Sequence, residues 1–187
     1  MPPETIDSVD RWLLETMDDH RSGIVTWFSK HLMLFVYSVP GVIVCCIIAL
    51  AIVIAFRLWR PTLAVLIAML IAGSTADLLK HVIERPRPPA SLALVPAYGY
   101  SMPSSAAAAS SAAAVAFFAA YVWPSPRWRR LGGAALAVVL VVIGLAMMYL
   151  GAHWGSDILA GWALGSTVGV VVGLVVRQKP KVPVPSA

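Results

Sequence analysis

Three well-separated groups of residues carry side chains suited to phosphate chemistry: Lys80 with Arg87 and Pro88, the turn Pro103-Ser104-Ser105, and His153 with Asp157. Fixed cations neutralise phosphate oxygens, a serine-rich helix start offers unpaired amides to an anion, and an imidazole near a carboxylate is a ready nucleophile. His153 and Asp157, four residues apart, share a face if a helix begins there. Each group also has a plainer reading when taken alone. Lys80 at the end of an apolar run can snorkel to the interface or pair with Asp77. Arg85 and Arg87 among Pro86, Pro88 and Pro89 can form a stiff loop against lipid headgroups, with Glu84 as an ion-pair partner. A lone His153 is more often a structural histidine, and His81 beside Lys80 reads as loop structure. Asp157 is harder to explain away, because an acid within an apolar helix needs a partner. The conjunction of all three groups favours a phosphate site.

Each group ends a long apolar run. Hydrophobic residues make up 59% of the 187 residues and charged residues 12%, against about a quarter charged in soluble domains. The chain therefore reads as an all-α integral membrane bundle. Five stretches are long enough to cross about 30 Å of hydrocarbon: Leu32 to Phe56, Pro61 to Lys80, Pro103 to Trp123, Leu131 to Leu150, and His153 to Val176. Residues 1–31 form an amphipathic helical segment, with Ile6, Val9, Leu13, Leu14 and Met17 near helical spacing. Residues 32–176 are the membrane domain, and 177–187 a basic, Pro-rich tail expected to be disordered. Arg57, Arg60, Arg127, Arg129, Arg130, Arg177, Lys179 and Lys181 fall on alternate links, which makes that side cytoplasmic. Every chemical residue then gathers at the opposite, extracytoplasmic face. The excess positive charge serves topology; no nucleic-acid partner is expected, since no aromatic platform accompanies it. Adjacent Cys45 and Cys46 in an apolar run read as buried thiols, and no Cys/His cluster suggests a metal. No cleaved signal peptide is expected. Ala106 to Ala114 reads as a close-packing helix surface, and Trp123, Trp128, Trp154 and Trp162 as an interfacial belt.

Lys80, six residues, then Arg87-Pro88 resembles the first motif of the type-2 phosphatidic acid phosphatase family, which shares its core with vanadium haloperoxidases. Pro103-Ser104 is similar to the start of that family's Pro-Ser-Gly-His motif, and His153, three residues, then Asp157 to the end of its third motif. The resemblance spans about residues 60 to 176. It implies that Lys80 and Arg87 clamp phosphate oxygens, that Ser104 and backbone amides near Ser105 complete the cradle, that His153 is the nucleophile, and that Asp157 holds its other nitrogen. Two positions depart from the family. Ser105-Ala106 stands where the family has Gly-His, and Ala146-Met147 where it has Ser-Arg. In the family that histidine protonates the leaving oxygen and that arginine is a third phosphate clamp. A positioned general acid contributes about 10²–10⁴-fold, and a lost transition-state donor takes away roughly 10²–10³-fold.

The expected function is hydrolysis of a lipid phosphate or diphosphate, with an isoprenoid carrier favoured, through a phospho-histidine and with no cofactor. Ala106 and Met147 imply impaired turnover. A non-catalytic lipid-phosphate binder or accessory subunit is the rival reading, and a transporter is disfavoured. The partners implied are the lipid phosphate and membrane lipids of the inner (plasma) membrane; a protein partner or homo-oligomer stays open.

Overall fold

The computed structural model describes residues 3–177. They form seven α-helices: α1 (Pro3–Asp19), α2 (Gly23–Tyr37), α3 (Val39–Phe56), α4 (Trp59–Ile83), α5 (Ser105–Ala120), α6 (Pro126–Tyr149) and α7 (Gly155–Val176), with a 3₁₀ turn at Ala90–Leu92. No strand occurs among the described residues, in line with the all-α reading. The tail beyond Arg177 and the side chains of Cys45 and Cys46 lie outside the described residues.

Helix starts follow from local chemistry. Ser22, Ser104 and Ser125 each accept a bond from the amide three residues on, at Val25, Ala107 and Trp128. Such a cap satisfies one of the amides that every helix start leaves unpaired. α4 stops where Glu84 turns left-handed at φ 51°, with Pro86 two residues on. Two expected segments are each divided. Leu32 to Phe56 is not one helix, because Ser38 is extended at φ −79°, ψ 145° and separates α2 from α3. Pro40 explains the break: within a continuous helix its ring would strike the carbonyl four residues back, whereas the first turn of a new helix tolerates it. The amphipathic segment likewise divides between α1 and α2.

Small residues set the centre of the bundle. α4 turns Ala64, Ala68, Ala72 and Ala76 towards α5, which answers with Ala108, Ala112, Ala116 and Ala120. α7 lays Gly161, Gly165, Gly169 and Gly173 along the other side of α5. A Cβ on Gly161 would stand 2.6 Å from the Ser104 carbonyl oxygen, and one on Gly165 would strike the Ala108 carbonyl and the Ser111 hydroxyl. Lipid gives no hydrophobic drive to helix pairing, so this close backbone approach is what holds α5 to α7.

Contacts fix the directions. Gly161 meets Ser104 and Gly173 meets Ala116, so α7 runs parallel to α5; Gly73 meets Ala109 while Asp77 meets Ser105, so α4 runs against it. The ends of α4 and α6 and the starts of α5 and α7 therefore share one end of the bundle. Arg57, Arg60, Arg127, Arg129 and Arg130 lie at the other. By length and composition α4, α6 and α7 can cross a membrane; α5, with 16 residues, is about 24 Å long. α1 packs at the chemical end, with Leu14 and Asp10 buried and Ile6, Val9 and Trp12 exposed.

Candidate active site

At that end a cleft of about 890 Å³ opens between α2, α4, α5 and the end of α6, bordered by residues 94–96. Lys80, Arg87, Ser105 and His153 all line it, together with Ala106 and Met147. Side chains from three separate stretches are thus brought to one cavity. Lys80 comes from the last turn of α4, Arg87 from the following loop, Ser105 from the start of α5 and His153 from the turn before α7.

Lys80 Nζ donates to Asp77 Oδ1 at 3.3 Å, and the Ser105 hydroxyl donates to the same oxygen at 2.5 Å. Arg87 is braced by backbone: Nε donates to the Tyr98 carbonyl at 2.9 Å and Nη1 to the Ala152 carbonyl at 2.7 Å. The same Nη1 lies 3.4 Å from His153 Nε2. A guanidinium has only protons to offer, so the facing Nε2 presents its lone pair and the ring proton belongs on Nδ1. That Nδ1 is buried and faces Asp157 Oδ2 at 3.5 Å, longer than a formed bond. Burial lowers the His153 pKa from its ordinary value; Asp157 opposes the shift, while Arg87 and Lys80 add to it. The ring is therefore held neutral, the form a nucleophile requires.

Asp157 is fully buried behind the ring. Its Oδ2 accepts the Trp154 amide at 2.9 Å, and its Oδ1 accepts Arg85 Nη1 at 2.9 Å and the Ser101 hydroxyl at 3.4 Å. Arg85 then reaches α1: Nη2 donates at 2.8 Å to Asp10 Oδ2 and to Asp7 Oδ1. Asp10 also accepts the Ser156 amide at 3.0 Å, one of the unpaired amides at the start of α7. The Ser156 hydroxyl bridges Arg85 and Asp10. Burial works against the Arg85 charge, but Asp10, Asp157 and Asp7 outweigh it and raise the pKa. The Trp154 ring lies 5.6 Å from the guanidinium carbon, and its Nε1 donates to the Pro86 carbonyl at 3.0 Å.

Several placements differ from the sequence reading. Ser104 does not line the cleft; it is fully buried, its hydroxyl accepts the Ala107 amide, and its own amide donates to the Asp157 carbonyl at 3.0 Å. It is committed to capping α5, which leaves Ser105 as the serine facing the cavity. Arg85 is not a loop cation facing lipid but the partner that Asp157 needed. Trp154 belongs to the site rather than to a belt, and His81 stands edge-on to Tyr100 with ring centres 6.0 Å apart. Asp10, in the sequence one of several N-terminal acids, joins the site; its spacing among Ile6, Leu13 and Leu14 on an apolar face is the signal that sets it apart. Among the described residues no group of His, Cys, Asp or Glu is placed to hold a metal ion.

Comparison with known proteins matches residues 61–181 to the model of the PAP2 superfamily. A lipid A 1-phosphatase of Rhizobium johnstonii is 30% identical over 109 residues, covering 56% of this chain and 43% of that protein. An undecaprenyl-diphosphatase of Sulfolobus acidocaldarius is 28% identical over 124 residues, covering 63% of this chain and 57% of that protein. The chain spans about half the length of these curated relatives. The crystal structure of a transmembrane PAP2-type phosphatidylglycerolphosphate phosphatase from Bacillus subtilis superposes with a TM-score of 0.77 at 21% identity, over 91% of this chain and 86% of that one.

Proposed function

Since the chain belongs to the PAP2 superfamily, we propose that it is a membrane lipid phosphatase whose His153 attacks the phosphorus of a lipid phosphate or diphosphate. The observation that carries this reading is an imidazole at a cleft wall, its Nε2 beside Arg87 and its Nδ1 facing Asp157. Nε2 forms a bond to phosphorus as the bond to the leaving oxygen breaks. Lys80 and Arg87 neutralise the charge that builds on the non-bridging oxygens, and Ser105 donates from the start of α5. Asp157, held by Arg85, keeps the ring proton on Nδ1. Water then cleaves the phospho-histidine and regenerates the ring.

The apolar side chains at Ala106 and Met147 shape the substrate preference. Neither gives a proton to a departing oxygen, so an alkoxide leaves poorly, whereas a phosphate leaving from a diphosphate needs little protonation. A polyprenyl diphosphate is therefore the favoured substrate, and the undecaprenyl-diphosphatase relative supports that choice. Turnover is slow for the same reason. In the proposed topology five segments cross an inner membrane, α1 lies along the interface, the cleft faces the extracytoplasmic side and the C-terminus is cytoplasmic.

The test is phosphate release from farnesyl diphosphate and farnesyl monophosphate by the full chain in detergent micelles, beside His153→Ala. Release that favours the diphosphate and vanishes in the variant is expected. Equal release from the monophosphate overturns the preference. Binding of both lipids with no release from either favours the rival reading, a non-catalytic lipid-phosphate binder; the apolar Ala106 and Met147 in the wall motivate it.

A further inference from the structure

We infer that Lys30, delivered by α2, is a third cationic ligand for the substrate's phosphate group; the inference rests on the phosphatase reading above. Lys30 lies outside the residues matched to the family model, which begin at 61. α2 is nevertheless tied to the site. The Thr26 hydroxyl pairs with the Tyr149 hydroxyl at 2.9 Å, the Ser22 amide donates to the same oxygen at 3.0 Å, and Ser29 is buried. Lys30 follows Thr26 by four residues, so it shares that side of the helix. With Met33 and Leu34, one turn further on, it lines the same cleft as Lys80, Arg87 and His153.

Two observations make this lysine more than a wall residue. The first is its company. The cleft's other cations are engaged, Lys80 by Asp77 and Arg87 by backbone carbonyls, and α2 itself contains no acidic residue. Around Lys30 the wall is largely apolar, with Met33, Leu34, Ala106 and Met147. An ammonium group in such a setting gains from any anion that enters.

The second is charge balance. Lys80 and Arg87 contribute two positive charges, Asp77 removes one, and His153 is neutral, which leaves a single net charge. A phosphate monoester carries about −1.5 to −2, and a diphosphate carries more. Lys30 brings the cleft to two net positive charges, closer to what a diphosphate headgroup demands. It also comes from a different wall from Lys80, α2 rather than α4. The bound phosphate would then be held between two helices as well as by the loop.

The experiment measures binding to the full chain in detergent micelles carrying His153→Ala, so that no turnover intervenes. The probes are farnesyl diphosphate, inorganic pyrophosphate as the headgroup alone, and farnesol as the tail alone. Lys30→Gln should weaken farnesyl diphosphate binding about tenfold, the scale of one charge-assisted contact at a partly exposed site. Pyrophosphate should weaken alongside it, farnesol should be unaffected, and Lys30→Arg should restore most of the loss. Lys30→Met, which keeps the apolar stem, is read beside it should glutamine disturb α2. Unchanged farnesyl diphosphate binding in Lys30→Gln and Lys30→Met, while Lys80→Gln loses it, overturns the inference and leaves the phosphatase reading intact. Weakened farnesol binding also overturns it, since Lys30 would then be packing the tail. If neither lysine matters to any phosphorylated probe, the phosphatase reading falls as well.

Discussion

The bond from Arg85 to Asp157 ties the back of the site to α1. Asp157 lies beside the His153 ring, Arg85 secures Asp157, and Asp10 secures Arg85 from a helix some 75 residues away in the chain. Removing the cation strands two buried carboxylates, so Arg85→Ala should destabilise the fold by about 3 kcal/mol or more, read as a lower unfolding midpoint in detergent. Asp10→Asn keeps the shape and should leave the fold largely intact while lowering phosphate release through a looser His153. Protonation of His153 would stop the proposed attack. Because its pKa is lowered below the ordinary 6.5, activity should persist as pH falls through 6.5 and fade only below it. An acid limb at or above 6.5 in the pH profile of kcat/KM would contradict a buried, neutral ring. Restoring the missing chemistry is the complementary test: Ala106→His with Met147→Arg should raise phosphate release by about 10² or more. That Lys80, Arg87 and His153 meet in one cleft, with Asp157 beside the ring, was legible from the motif spacing together with the family resemblance. The Arg85 network was not, because Asp157, Asp10 and Asp7 lie 72, 75 and 78 residues from Arg85, and a carboxylate on the apolar face of α1 does not by itself name its partner.

At the scale of elements, the sequence revealed which stretches are helical and roughly where they end, since apolar runs and serine caps are local signals. It revealed less about continuity. The break at Ser38 depends on a single proline, and hydropathy averages over it. The glycine series of α7 also went unread, although its spacing of four matches that of the alanines on α5 and α4. That series predicts a sharp steric limit. Gly165→Val should prevent α5 and α7 from closing, because any Cβ there meets the Ala108 carbonyl. The expected result is loss of the folded, monodisperse protein in detergent. Gly23→Ala, at a position with open space around it, should be tolerated and serves as the control.

For the molecule as a whole, the ends of the bundle differ in chemistry: Arg57, Arg60, Arg127, Arg129 and Arg130 lie at one, the candidate cleft with its paired acids and cations at the other. The orientation drawn from charge asymmetry can be tested in a Cys45→Ser, Cys46→Ser background. Tyr98→Cys, an exposed position near the cleft, should react with a membrane-impermeant thiol reagent in intact cells. Trp128→Cys should react only after the membrane is opened. The reverse pattern would invert the topology. One dimension of the bundle carries a further consequence. α5 spans about 24 Å where the hydrocarbon layer measures about 30 Å, while its neighbours α4 and α6 have 25 and 24 residues. Ser105 at the head of α5 bonds Asp77, well short of Ile83 where α4 ends, so the cavity there is sunk below the rim its neighbours set. A lipid headgroup must dip to reach it, or the leaflet must dimple around it. Reconstitution into bilayers of graded acyl length should show the rate rising as the membrane thins.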